Sequence, residues 1–144
     1  MEEVTNDEST WTNPVPATQK EEKFFTNHYL PRWCNAFVYE RWGGKTEVTL
    51  RTRDPFWKIR IDNITSDGRL HENKAATVYD DTQLWKYLLY LQENGGSLGY
   101  NFFRNPVGSP VGPRSKFASA LKRAARKYDV GVNMLDYDWW EELQ

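Results

Sequence analysis

Two histidines, His28 and His71, and one thiol, Cys34, are all the imidazole and sulfhydryl chemistry this 144-residue chain offers. No CxxC or HxxxH pair is present to hold zinc, and no GxSxG, GxxxxGK(S/T) or GxGxxG occurs. Gly95-Gly96-Ser97-Leu98-Gly99 lacks the lysine and the preceding strand that a phosphate loop needs. His71 stands alone in a polar stretch and reads as solvated. The expectation is therefore no metal, no cofactor and no catalytic residue. One enzymatic alternative survives and ranks last: a metal-dependent nuclease drawing on Glu47, Asp54, Asp80 and Asp81, with Lys58 at the leaving phosphate, because such chemistry needs little beyond clustered acids and magnesium. Asp54 before Pro55 is equally a turn residue, and Asp80-Asp81 equally a helix start.

The cations are better organised than the acids. If residues 115–128 are helical, Phe117, Leu121, Ala124, Ala125 and Tyr128 share one arc, and Lys116, Lys122, Arg123, Arg126 and Lys127 share the opposite one. Ser115 is placed to cap that helix, and no acid interrupts residues 114–128. A second basic surface comes from a hairpin. Arg51 and Arg53, then Lys58 and Arg60, alternate with Leu50, Ile59 and Ile61, so four cations leave the face opposite the apolar one. Trp57 beside Lys58, and Tyr100, Phe102 and Phe103 before Arg104, interleave rings with charge, as surfaces that bind unpaired strands do. Arg51, Arg53, Trp57, Lys58, Arg60, Arg104, Arg114, Lys116, Lys122, Arg123, Arg126 and Lys127 are thus the nucleic-acid-binding candidates.

These residues need a scaffold. Residues 1–22 are acidic, polar and proline-containing, and read as a flexible arm. Residues 23–135 read as one α+β domain with a mostly antiparallel sheet and two helices, at about 82–93 and 115–128. In the first helix Leu84, Trp85, Leu88 and Leu89 form the expected buried stripe, and Asn94-Gly95 the stop. Pro31 argues against a helix through the aromatic-rich run 24–42, and 35–41 reads as a strand. Gly43-Gly44 turns the chain into strands near 48–52 and 56–62. Residues 65–73 read as an irregular loop, 75–79 as a short strand, 98–103 as a strand inside a Gly/Pro-rich loop, and 130–134 as the last strand. Residues 136–144 form an acidic, aromatic tail in which Asp136, Asp138, Trp139, Trp140, Glu141 and Glu142 are candidates for gripping a partner or competing for the basic helix.

Composition sets the outer bounds. The chain carries 39% hydrophobic and 15% aromatic residues at a mean hydropathy of −0.81, enough for one core. Its net charge of −1 hides an asymmetry: setting aside the eight acids in 1–12 and 136–144 leaves 12 acids against 19 cations, a formal +7 over residues 13–135. A single cysteine excludes an internal disulfide, no apolar run approaches the roughly 20 residues of a membrane helix, and the acidic start is unlike a signal peptide. A reducing, cytoplasmic compartment is expected, with no membrane partner. The leading reading is non-enzymatic binding of nucleic acid, single-stranded DNA or RNA rather than duplex. The alternative class is a protein-interaction module, such as a viral or mobile-element accessory or structural protein. Oligomeric state is left open.

Overall fold

The computed structural model describes residues 30–104 and 111–136, so the expected arm and the tail beyond Asp136 lie outside it. Among the described residues three helices and seven strands follow in the order α1 (Leu30–Trp42), β1 (Lys45–Arg51), β2 (Lys58–Ile64), β3 (Leu70–Lys74), β4 (Thr77–Val78), α2 (Leu84–Asn94), β5 (Ser97–Arg104), β6 (Gly112–Pro113), α3 (Ser115–Lys127) and β7 (Asp129–Asp136). The α+β class holds. The main sheet has the order β1-β2-β3-β5-β7: β1, β2 and β3 form an antiparallel meander, and β5 and β7 join it in parallel. Each parallel step needs a crossover helix. Both steps move the same way along the sheet, so right-handed crossovers place α2 and α3 on one face. There Leu84, Tyr87, Leu91, Phe117, Leu121 and Ala124 pack on Leu50, Ile59, Ile61, Leu70, Leu98, Tyr100 and Phe102. A short parallel pair, β4 with β6, ties the chain before α2 to the chain before α3.

The other face is covered by α1, which corrects the strand expected at 35–41. Leu30, Trp33, Cys34 and Val38 are buried, with Phe37 packed against them, an i, i+3, i+4, i+7, i+8 spacing that only a helix turns to one side. Pro31 sits in the first turn, where its missing N–H costs nothing. Gly43 at φ 70° ends the helix, and Gly44 is required by contact: a Cβ there would lie 1.9 Å from the Ile64 carbonyl oxygen. Three further expectations change. Residues 70–74 form β3 instead of loop, because its polar side chains are paired inside the protein. In α2, Tyr87 is buried and Trp85 exposed, since the Tyr87 hydroxyl finds the Arg60 carbonyl at 3.3 Å. In α3 the extended residue is Arg114, whose side chain makes no cap bond, and Ser115 adopts φ 53°, so Ser115 does not cap; Ala125 lies exposed among the cations.

Between sheet and α1 runs a ladder of amides. Asn133 donates to Asn101 Oδ1 at 2.9 Å, Asn101 donates to Asn73 Oδ1 at 2.9 Å, and Asn73 donates to Asn63 Oδ1 at 2.7 Å and Asn35 Oδ1 at 3.0 Å. Asn63 closes the chain on the Asn35 carbonyl. Asn73, Asn101 and Asn133 are direct cross-strand partners, so the ladder fixes the register of three strands and docks α1 on them. Replacing Asn101 by Leu would strand the Asn73 oxygen, an Asn133 donor and a His71 nitrogen; a loss of about 3 kcal/mol in denaturant unfolding is expected, and a loss below about 1 kcal/mol would mean the ladder is not a structural support.

Candidate functional site

Fixing Asn73 and Asn101 toward α1 sends Glu72 and Lys74 to the opposite face, into the core under α2. There they meet Asp62. The β2–β3 register is assigned only at Asn63↔His71 and Ile64↔Leu70, and beyond it the Asp62 carboxylate accepts the Asn73 backbone N–H at 2.7 Å. Asp62 and Glu72 share a side-chain hydrogen bond. Lys74 Nζ lies 3.2 Å from Glu72 Oε2 and 3.5 Å from Asp81 Oδ2, and Tyr100 donates to that Asp81 oxygen at 3.0 Å. Tyr87 adds its hydroxyl beside Glu72.

The electrostatics of this group follow from its burial. Loss of water raises both carboxyls above their ordinary values; in Asp62 the hydrogen bonds from Asn73 and Glu72 oppose the rise, and in Glu72 the Asp62 charge adds to it, pushing it up to about 8. The shared proton therefore belongs to Glu72 at neutral pH. Burial alone would lower Lys74, yet the Glu72 and Asp81 charges outweigh it and the net shift is upward, so Lys74 stays cationic. Both tyrosines are raised, first by burial and then by the carboxylates, and remain phenols. With every group ionised, three carboxylates and one ammonium carry a formal −2. A buried excess of that size has to be met by a proton or a divalent cation.

The described residues contain no group of three or more His, Cys, Asp and Glu side chains able to enclose a metal. A hard divalent cation does not need one: magnesium keeps several waters and is held by one or two carboxylates together with substrate phosphate. Sequence reading does not single out Asp62, Glu72 and Lys74, because LHENK is a buried strand with almost no apolar residues and resembles a loop. The usable signal is Glu-x-Lys just after the Gly68 turn, with an acid ten residues before the Glu on the neighbouring strand.

The acids expected to cluster do not. Glu47 pairs with Arg60 at 3.4 Å, Asp54 lies in the β1–β2 turn with its N–H on Glu93, and Asp80 pairs with Lys116 at 3.1 Å; only Asp81 reaches the site. Lys58 is exposed at the start of β2. The basic candidates divide between the two sides of the central strand β3. Arg51, Arg53, Trp57, Lys58 and Arg60 gather on the hairpin at the β1 edge, all exposed, with Arg51 directly opposite Lys58. Lys116, Lys122, Arg123, Arg126 and Lys127 are exposed along α3, the crossover to β7. Arg114 is exposed and donates to the Pro113 carbonyl, and Arg104 closes β5 half-buried. Of the tail candidates only Asp136 is reached, as the last residue of β7; Asp138, Trp139, Trp140, Glu141 and Glu142 lie outside the described residues.

His71 corrects the solvated reading: it is only 6% exposed. Its Nδ1 takes an Asn101 amide hydrogen at 3.0 Å, which assigns Nε2–H to Thr65 Oγ1 at 3.1 Å, and Thr65 donates to Asp67 at 2.6 Å. Burial and the Arg69 charge hold it below its ordinary value. Trp42 stacks on its ring, 6.0 Å away and 8° from parallel. Trp42, Thr65, Asp67, Arg69 and His71 help line a cavity of about 430 Å³ on the α1 side, the face opposite Glu72, and Thr65, Asp67 and His71 are already paired with one another or with Asn101.

No helix among the described residues is long and apolar enough to cross a membrane. Because Glu72 binds its proton more tightly folded than unfolded, the native state holds more protons between its ordinary 4.5 and about 8. Without divalent cation, stability is therefore full below the lower value and lost as pH rises through the window. The thermal midpoint should fall across that range, and Glu72→Gln should flatten the fall. A midpoint that rises with pH there would refute the assignment of the proton. Comparison of the chain with protein-family models, with curated proteins and with solved structures finds no match.

Proposed function

We propose that the protein binds nucleic acid and hydrolyses its phosphodiester backbone with a divalent cation held between Asp62 and Glu72. The observation that carries this reading is the buried pair of carboxylates sharing one proton beside a lysine that stays charged. Such a cation would polarise the phosphoryl group and make a bound water nucleophilic near neutral pH. In this role Asp62 and Glu72 supply anionic oxygens once their shared proton leaves. Lys74 places its ammonium where negative charge develops on the phosphoryl oxygens. Asp81, fixed by Tyr100, is a positioning residue that aims Lys74. In this reading the hairpin and α3 cations, exposed on other surfaces of the domain, hold the polyanion by phosphate contact. This reading joins cleavage to the non-enzymatic binding expected from sequence.

Incubation with oligonucleotides in magnesium or manganese should give cleavage that chelator abolishes. Asp62→Asn, Glu72→Gln or Lys74→Ala should each lower the rate about 10²- to 10³-fold while the protein still folds. Absence of cleavage with either metal, joined to absence of any metal-induced rise in thermal midpoint, would overturn the reading. Replacing Lys122, Arg123, Arg126 and Lys127 together by Gln should leave the fold intact, since Phe117, Leu121 and Ala124 carry the packing of α3. Wild type should bind single strands with a slope of roughly −2 to −4 in log K against log salt, and the fourfold variant with a clearly shallower one. An unchanged slope would remove α3 from the binding surface.

A further inference from the structure

The β1–β2 turn is held more firmly than a connection requires. Thr52 Oγ1 accepts the Trp57 N–H at 2.9 Å and donates to the Pro55 carbonyl at 2.8 Å, while Thr52 N–H reaches the Trp57 carbonyl at 3.0 Å. Glu93, in the last turn of α2, accepts the N–H groups of Arg53 and Asp54 at 2.8 and 3.1 Å. What this braced turn presents to solvent is aromatic. Phe56 is 61% exposed and Trp57 37%, and Trp57 meets Trp85, itself 46% exposed, edge-on with centroids 5.2 Å apart. Lys86 Nζ lies 4.6 Å above the Trp57 ring.

Lys86 is the cation that touches these rings; in the adjoining hairpin Arg60 pairs with Glu47 and Arg53 lies beside Glu93. Arg51 and Lys58 face each other directly across the hairpin, an arrangement that costs stability, and neither has an ion-pair partner among the described residues. Ordered, exposed rings bordered by free cations suit a polymer that offers flat apolar faces and anions in alternation. Among nucleic acids an unpaired strand does so, because a duplex hides its base faces. We infer that Phe56, Trp57 and Trp85 form a stacking platform for the bases of a single-stranded polynucleotide. Arg51 and Lys58 take the flanking phosphates, and Lys86 leaves the Trp57 ring for a phosphate when a base arrives. The inference rests on the nucleic-acid reading of the carboxylate site and names its substrate as unpaired strand. The same two elements join both features: β2 carries both Lys58 and Asp62, and Tyr87, next to Lys86 on α2, stands beside Glu72.

The test uses full-length protein carrying Asp62→Asn, so that binding is read without cutting. Fluorescence anisotropy is measured with a short oligothymidylate, a short oligouridylate and a duplex of the same length, at one salt concentration. Single strands should bind at least about tenfold tighter than duplex. Adding Trp57→Ala and Trp85→Ala should weaken strand binding about 5- to 150-fold, the loss of one stacked base, and leave duplex binding within about twofold. Trp57→Phe with Trp85→Phe, which keeps the rings, should retain most of the affinity and also serves if the alanine pair does not fold. Duplex bound as tightly as strand, strand affinity indifferent to the alanine pair, or no oligonucleotide bound at all would overturn the platform, the last outcome in favour of a protein partner. Failure of the hydrolase reading looks different: wild type then leaves strands intact with metal, although the Trp57 and Trp85 changes still weaken their binding.

Discussion

Every side chain of the candidate site depends on strand register, and the asparagine ladder sets it. In a strand, successive residues point to opposite faces, so a slip of one position would expel Glu72 and Lys74 from the core and bring Asn73 into it. Hydrophobic patterning cannot prevent that slip in β3, where only Leu70 is apolar. The amides can, because their partners are at the right distance only in this register and an unpaired buried amide is costly. Asn101 shows how complete the pairing is: its two hydrogens go to His71 and Asn73, and its oxygen receives Asn133. Polar specificity on the α1 side thus does the work that apolar alternation does in β2.

The two faces of the sheet handle buried polarity in opposite ways. On the α1 side donors and acceptors are matched and nearly neutral, and His71 is kept uncharged. Under α2 the polarity is ionic, three carboxyl groups of which Glu72 keeps a proton at neutral pH, one lysine, and two phenols alongside. A neutral network rigidifies, whereas an ionic one retains affinity for whatever cation can enter. This contrast is the physical reason the proposed chemistry is sought on the α2 side, although the cavity of about 430 Å³ opens on the other.

Much of the architecture was legible because it is apolar and periodic. The hairpin alternation around Leu50, Ile59 and Ile61, the position of α2 and the two-sided α3 all follow from spacing. What was not legible was polar burial. His71, Glu72 and Asn101 are buried residues of types that ordinarily mark surface, so β3 resembled a loop and the site within it was invisible. The helix α1 was obscured differently, since Pro31 and a crowd of aromatics outweighed a 3.6-residue period that was present. Trp85 lost its expected buried place to Tyr87 because two aromatics on adjacent flanks have similar apolar content, and the carbonyl available to the Tyr87 hydroxyl favours burying the tyrosine.

Cys34 lies in the α1 layer, fully covered, with Asp62 behind it; burial first, and then that negative charge, lift its thiol well above the ordinary value. A thiol so held is almost never thiolate, and alkylating or oxidising reagents act on the thiolate. Its reactivity therefore measures how often α1 lifts from the sheet. As the only sulfhydryl in the chain, it is a built-in clock for local opening of the layer that the asparagine ladder holds down.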